Sequence, residues 1–133
     1  MEKQIGGYGP HLMLDLGQCN ALILNDLDAC FTLLNELPEK IGMTKITQPY
    51  VFRYSGAVPE DDGITGVTII AESHISLHTY PKKGFVFVDL FSCKSFDVNK
   101  ASDYVVRFFE SKSPSVHVEE RGEAFPAAVR VVA

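Results

Sequence analysis

Tryptophan is missing from this 133-residue chain, and cysteine occurs only as Cys19, Cys30 and Cys93, with no C-x-x-C spacing. An odd, scattered set of thiols excludes a disulfide framework and offers no zinc-ligand pattern. The chain is therefore expected to work in the reducing cytoplasm, which leaves Cys93 free as a thiol. Basic clusters are lacking too: no run of Lys or Arg exceeds the pair Lys82-Lys83, and the formal net charge is -5. That balance argues against nucleic acid as a partner. No apolar run approaches the roughly 20 residues of a membrane-spanning helix, and residues 1–7 carry no apolar signal core. What is present is the composition of one soluble globular domain, residues 1–133, with 46% hydrophobic and 22% charged residues.

Periodicity orders the elements. Leu12, Leu14 and Leu16 alternate in a first strand, His11 to Leu16. Asn25 is placed to cap a helix over 26–41, whose apolar stripe runs through Leu27, Phe31, Leu34 and Leu37. Pro38 is expected to kink or restart that helix. Tyr50, Phe52 and Tyr54 alternate in a second strand, and Ser55 to Gly63 is a polar loop. A third strand is read over Val67 to Leu77 and a fourth over Phe85 to Ser92, joined by a turn around Pro81 to Gly84. Asp97 opens a helix over about 98–111, and Val116 and Val118 begin a last strand. The order β-α-β-β-β-α-β predicts an α+β two-layer sandwich, a mostly antiparallel sheet with two helices on one face. The apolar segment Ala127 to Val132 is read as an edge strand or as a patch covered by a second subunit.

The segment Glu72-Ser73-His74-Ile75-Ser76-Leu77-His78-Thr79 holds three hydroxyls and two imidazoles in what reads as a strand. Buried polar side chains cost free energy unless partnered. Here they fall on both parities of the strand, so a single wet face does not accommodate them all. Serine-hydrolase chemistry lacks its signature, since no G-x-S-x-G surrounds Ser73. Metal binding by His74 and His78 fails as well, because four residues along a strand separate them by about 13 Å. A third chemistry fits better. The Ser73 hydroxyl adjoins the carbonyl of Glu72 and can attack it without a second molecule. The resulting ester, eliminated by a base at Ser73 Cα, gives a dehydroalanine that hydrolyses to a pyruvoyl group. His78 is the candidate base. The product is a chain cut between Glu72 and Ser73 whose new terminal ketone can form a Schiff base and serve as an electron sink.

These residues resemble the S-adenosylmethionine decarboxylases of the small prokaryotic class. Glu72 to Pro81 is similar to the family's processing motif, Asp89-Leu90-Phe91-Ser92-Cys93 to the strand bearing its cysteine, and Gly9 to Leu16 to its N-terminal strand. Thr65-Gly66 aligns with a Ser-Gly pair. The resemblance covers most of residues 9–95 and implies roles position by position. Ser73 becomes the pyruvoyl group and forms the Schiff base, His78 is the processing base, and Cys93 is the proton donor. Thr65 assists processing, and Glu72 ends a β chain (1–72) that leaves an α chain (73–133). It also implies a homodimer of αβ protomers, a small-molecule substrate, no metal, and a place in spermidine synthesis.

The nucleoside pocket departs from the family pattern. A family glutamate that binds the ribose hydroxyls corresponds to Lys82, which has no acceptor. A stacking aromatic six residues before the Ser-Gly pair corresponds to Pro59 by direct counting, with Phe52 or Tyr54 as alternatives, and Tyr80 remains as one aromatic face. The resemblance implies S-adenosylmethionine as substrate. L-Arginine or L-ornithine, used by some family members, is the alternative, with Glu60, Asp61 or Asp62 to meet a distal positive charge. A non-catalytic regulatory paralogue is the reading from another class.

Overall fold

The computed structural model describes residues 8–126. In β1 (Gly9–Gly17) alternation does what the sequence implies: Leu12, Leu14 and Leu16 are at most 1% exposed. His11, Met13 and Asp15 point to the opposite side. A four-residue helix, α1 (Ala21–Leu24), follows, with the Asn20 side chain accepting from the Leu22 and Ile23 N–H groups. The main helix α2 (Leu27–Lys40) is capped by Asp26, which accepts the Ala29 N–H. The expected cap, Asn25, instead closes α1. Both residues are good caps, and the carboxylate adds a favourable charge at the helix N-terminus. Pro38 neither kinks α2 into two nor restarts it, because it sits in the last turn with only two helical residues after it.

The remaining elements are β2 (Thr44–Lys45), β3 (Tyr50–Tyr54), β4 (Gly63–Ala71), β5 (Ser73–Tyr80), β6 (Phe85–Ser92), α3 (Val98–Phe108) and β7 (Ser113–Arg121). The single strand expected over Val67 to Leu77 is therefore two. The chain reverses at Ala71-Glu72, pairing Ile70 with Ser73 and Thr65 with His78. Tight reversals usually carry Asn-Gly or another glycine. Ala-Glu carries no such sign. The reversal also settles the polar residues of β5. His74, Ser76 and His78 share one face, while Thr79 points into the core, where its Oγ1 accepts the Ile64 N–H at 2.9 Å.

Among the described residues seven strands form one antiparallel sheet in the order β2-β4-β5-β6-β1-β7, with β3 also paired to β4. The helices cover one face, α2 over β3 and β4 and α3 against β1. Between the layers lie Leu34, Leu37, Val105 and Phe109 from the helices and Leu14, Leu77 and Val88 from the sheet, all at most 1% exposed. This is the α+β two-layer architecture the pattern implies, with α1 as an additional short helix. No helix among the described residues is long and apolar enough to cross a membrane. The segment Ala127 to Val132 lies outside the described residues.

Among the described residues no layer covers the other face of the sheet. Tyr50, Phe52, Tyr54, Ile69 and Phe87 stand on it, between 36% and 57% exposed. All four histidines of the chain, His11, His74, His78 and His117, are on this open face.

Candidate active site

Polar side chains gather at the two ends of β5. At the first end, Ser73 follows the reversal with φ of 156°, a backbone region that only glycine occupies readily. It pairs across the sheet with Ser92, and Cys93 follows directly. Ser92 is buried, and its Oγ accepts the Lys94 N–H at 3.1 Å, which pins the turn carrying Cys93. Tyr8 stands at this end too, its ring centroid 5.5 Å from that of Phe91, with Cys93 and Glu72 near its phenol. Burial first, then the neighbouring Cys93 and Glu72, push this phenol up, so it stays protonated. Tyr8 was not singled out in the sequence. A lone tyrosine just ahead of a strand carries no motif.

At the second end, Thr65 Oγ1 and His78 Nδ1 lie 3.2 Å apart as a cross-strand pair on the open face. Beside them is a cavity of about 290 Å³ bordered by Tyr54, Val58, Asp61 and Tyr80. A second, open cavity of about 370 Å³ adjoins it across Tyr80 and Asp61 and is bordered by Lys83, Phe85 and Phe87. Lys83 Nζ donates to Asp61 Oδ1 at 2.9 Å. Lys82 is exposed in the turn Pro81–Lys83 and lines neither cavity. Pro59 opens the turn Pro59–Asp61, while Tyr54, opposite Gly63 in the register, and Tyr80 are the aromatics that border the cavity.

The structure thus brings Ser73 together with Cys93, and Thr65 together with His78, but not one pair with the other. Ser73 and His78 are five residues apart on one extended strand, a separation of about 16 Å at ~3.3 Å per residue. The other thiols take no part: burial pushes Cys30 up to about 12 and also raises Cys19, and neither lies in these clusters. Among the described residues no three His, Cys, Asp or Glu side chains converge as a metal site. A groove of about 790 Å³ along α3 holds none of these groups.

Fold and site define a class: a two-layer α+β chain with an internal serine held in a glycine-like conformation beside a thiol. The S-adenosylmethionine decarboxylase family matches residues 10–122. The S-adenosylmethionine decarboxylase proenzyme of Thermodesulfovibrio yellowstonii is 36% identical over 115 residues, 86% of this chain and 81% of that protein. The proenzyme of Thermococcus gammatolerans is 32% identical over 121 residues, 90% of this chain and 80% of that one. The crystal structure of the adenosylmethionine decarboxylase from Aquifex aeolicus superposes with a TM-score of 0.75 at 27% identity, covering 97% of this chain and all of that one. The chain belongs to the S-adenosylmethionine decarboxylase family, a family of carboxy-lyases.

Proposed function

We propose that this chain is a cytoplasmic proenzyme that cuts itself between Glu72 and Ser73 and then decarboxylates S-adenosylmethionine for polyamine synthesis. The observation that carries this reading is Ser73 itself, a hydroxyl at a hairpin exit with φ of 156° and a thiol alongside. Such a conformation costs an L residue on the order of 1–3 kcal/mol, and the cut releases it. Ser73 Oγ adds to the Glu72 carbonyl carbon and the peptide C–N bond breaks, leaving an ester. Removal of the Ser73 Cα proton expels Glu72 as a carboxylate, and water then replaces the nitrogen, which leaves as ammonia. The residues fit a pyruvoyl group formed at Ser73, which supplies the electron sink for loss of CO2. Cys93 is placed to return a proton to the carbon that has lost it.

His78 cannot serve Ser73 of its own chain at about 16 Å. A second copy, laid against the open sheet face, supplies the Thr65–His78 pair, so the working unit is a homodimer of αβ protomers. The exposed aromatics of that face support this assembly. Tyr54 and Tyr80 offer flat faces to an adenine, worth about 1–3 kcal/mol per stacked base. Asp61 is the carboxylate of the cleft, suited to accept from ribose hydroxyls. The same carboxylate, with Lys82 where the family has an acid, also suits L-arginine or L-ornithine, whose distal charge Asp61 would meet.

The test is an intact-mass spectrum after incubation with S-adenosylmethionine, arginine and ornithine in turn, each trapped with cyanoborohydride. Two fragments, with mass added to the C-terminal one by S-adenosylmethionine alone, support the first reading. Addition by arginine or ornithine selects the second. A single uncut chain defeats both.

A further inference from the structure

We infer that Lys83 decides which substrates the cleft accepts: its ammonium, paired with Asp61, cancels the carboxylate there, so that end takes neutral hydroxyl groups and turns away a second cation. This rests on the reading that the cavity beside Thr65 and His78 receives the substrate, and it selects between the two substrate classes. Asp61 borders both cavities, whereas Lys83 borders only the second. The ammonium therefore comes to the carboxylate from the side away from Thr65 and His78. Its Nζ donates to Asp61 Oδ1 at 2.9 Å and lies 6.0 Å from the centroid of the Tyr80 ring. Among the described residues these two are the charged side chains lining the cavities, beside the imidazole of His78.

Two turns place the pair. Asp61 closes the turn Pro59–Asp61, and its backbone N–H donates to the Val58 carbonyl at 2.9 Å. Lys83 closes the turn Pro81–Lys83, and the carbonyl of the next residue, Gly84, accepts the Cys19 N–H at 2.9 Å, which ties this turn to the chain just beyond β1. Gly63 lets the two turns approach: a Cβ there would collide with the Thr79 carbonyl oxygen and lie 3.1 Å from Pro81 Cδ. The hydrogen bond to Asp61, then the charge of that carboxylate, push the Lys83 ammonium up, so it is charged at neutral pH.

An ionised carboxylate offers about four lone-pair sites. Lys83 takes one on Oδ1 and leaves others to donors in the first cavity. Ribose hydroxyls need only those acceptor sites. The guanidinium of L-arginine or the distal ammonium of L-ornithine also needs uncancelled negative charge, which a lysine one hydrogen bond away removes. The sulfonium of S-adenosylmethionine is no exception, since it sits between the amino acid and the ribose.

The test is competitive trapping on the cut, full-length chain. The parent, K83Q, K83R and D61N each receive a fixed mixture of S-adenosylmethionine with L-arginine, and then one with L-ornithine, in the presence of cyanoborohydride. Intact mass compares the adducts on the C-terminal fragment. We expect K83Q to move the ratio toward arginine and ornithine by about fivefold, the scale of one unit charge removed at contact distance in a wet site. D61N, which leaves the ammonium uncancelled, should move it the other way. K83R keeps the charge and should stay within about twofold of the parent. Thermal unfolding should be alike in the parent and the Lys83 variants, because the two side chains are 56% and 41% exposed and such pairs add little to stability. A K83Q ratio within about twofold of the parent, or a K83R shift as large as that of K83Q, overturns the inference. So does a D61N shift toward the amino acids. An uncut parent removes the proposed function and this inference with it, whereas a cut parent whose ratio K83Q does not move overturns this inference alone.

Discussion

Ser73 shows how little of a residue's task is visible in its type. The motif around it was legible because glutamate, serine, two histidines and a distant cysteine recur at one spacing, and its resemblance to a family followed from that. The glycine-like φ at Ser73 was not legible, since nothing in the letters marks a serine as standing at a hairpin exit. Replacing it tests the chemistry directly. Ser73→Ala should yield one chain of full mass with unchanged unfolding temperature, whereas loss of the fold would mean that Ser73 is structural. Asp61 and Tyr54 carry the substrate question. Tyr54→Ala should raise KM by about tenfold or more for a nucleoside substrate, the scale of one stacking contact, and should leave cleavage unaltered. Asp61→Asn should weaken binding of whichever substrate the trapping experiment selects. The thiols supply a pH-linked check. With Cys30 held up to about 12 by burial, it remains a neutral thiol across pH 7–9. Iodoacetamide should therefore modify Cys93 well before Cys30 in the folded S73A chain, and both at similar rates once unfolded.

Elements with strong alternation, such as β1 and β6, were readable, because burying one face imposes a period of two. The β4–β5 hairpin was not. Its hydrophobic alternation runs up to Ala71-Glu72 and resumes beyond it, with no glycine, asparagine or proline between. The neighbouring caps Asn25 and Asp26 were ambiguous for the opposite reason, two good signals side by side. Leu77 tests the hairpin's place in the core. It is fully buried between β4 and β6, so Leu77→Ala in the S73A background should cost about 2–5 kcal/mol, measured by urea unfolding. A loss below about 1 kcal/mol would mean that the layers do not close over β5 as described.

At the scale of the molecule, the proposed roles of Ser73 and His78, far apart on one strand, would make assembly part of catalysis. Strand geometry gives that separation, but a single chain's periodicity says nothing about what lies against its open face. Phe52 is 54% exposed there and contributes little to the core. Phe52→Asp should therefore leave the protomer folded, reduce its mass in light scattering to that of one chain, and stop cleavage. Mixing offers a sharper check. Neither Ser73→Ala nor His78→Ala should be cut alone, but together the His78→Ala chains should be cut, because the partner restores the missing histidine. No cutting in the mixture, with mixed dimers verified, would mean that the site is completed within one chain.

A cut after Glu72 falls in a turn, so none of the ladder pairs between β4 and β5 depends on the severed bond. The two pieces are nevertheless not side by side. Residues 1–72 supply β1 to β4 and residues 73–133 supply β5 to β7, and in the order β2-β4-β5-β6-β1-β7 the strand β1 lies between β6 and β7. One fragment is threaded through the other like an interlaced splice. Each lacks the neighbours its strands need, so separated halves should aggregate rather than reassemble. Under the proposed cut, the mature form would be a product of its own history: it would be reached by folding whole and cutting afterwards, and once pulled apart it would have no way back.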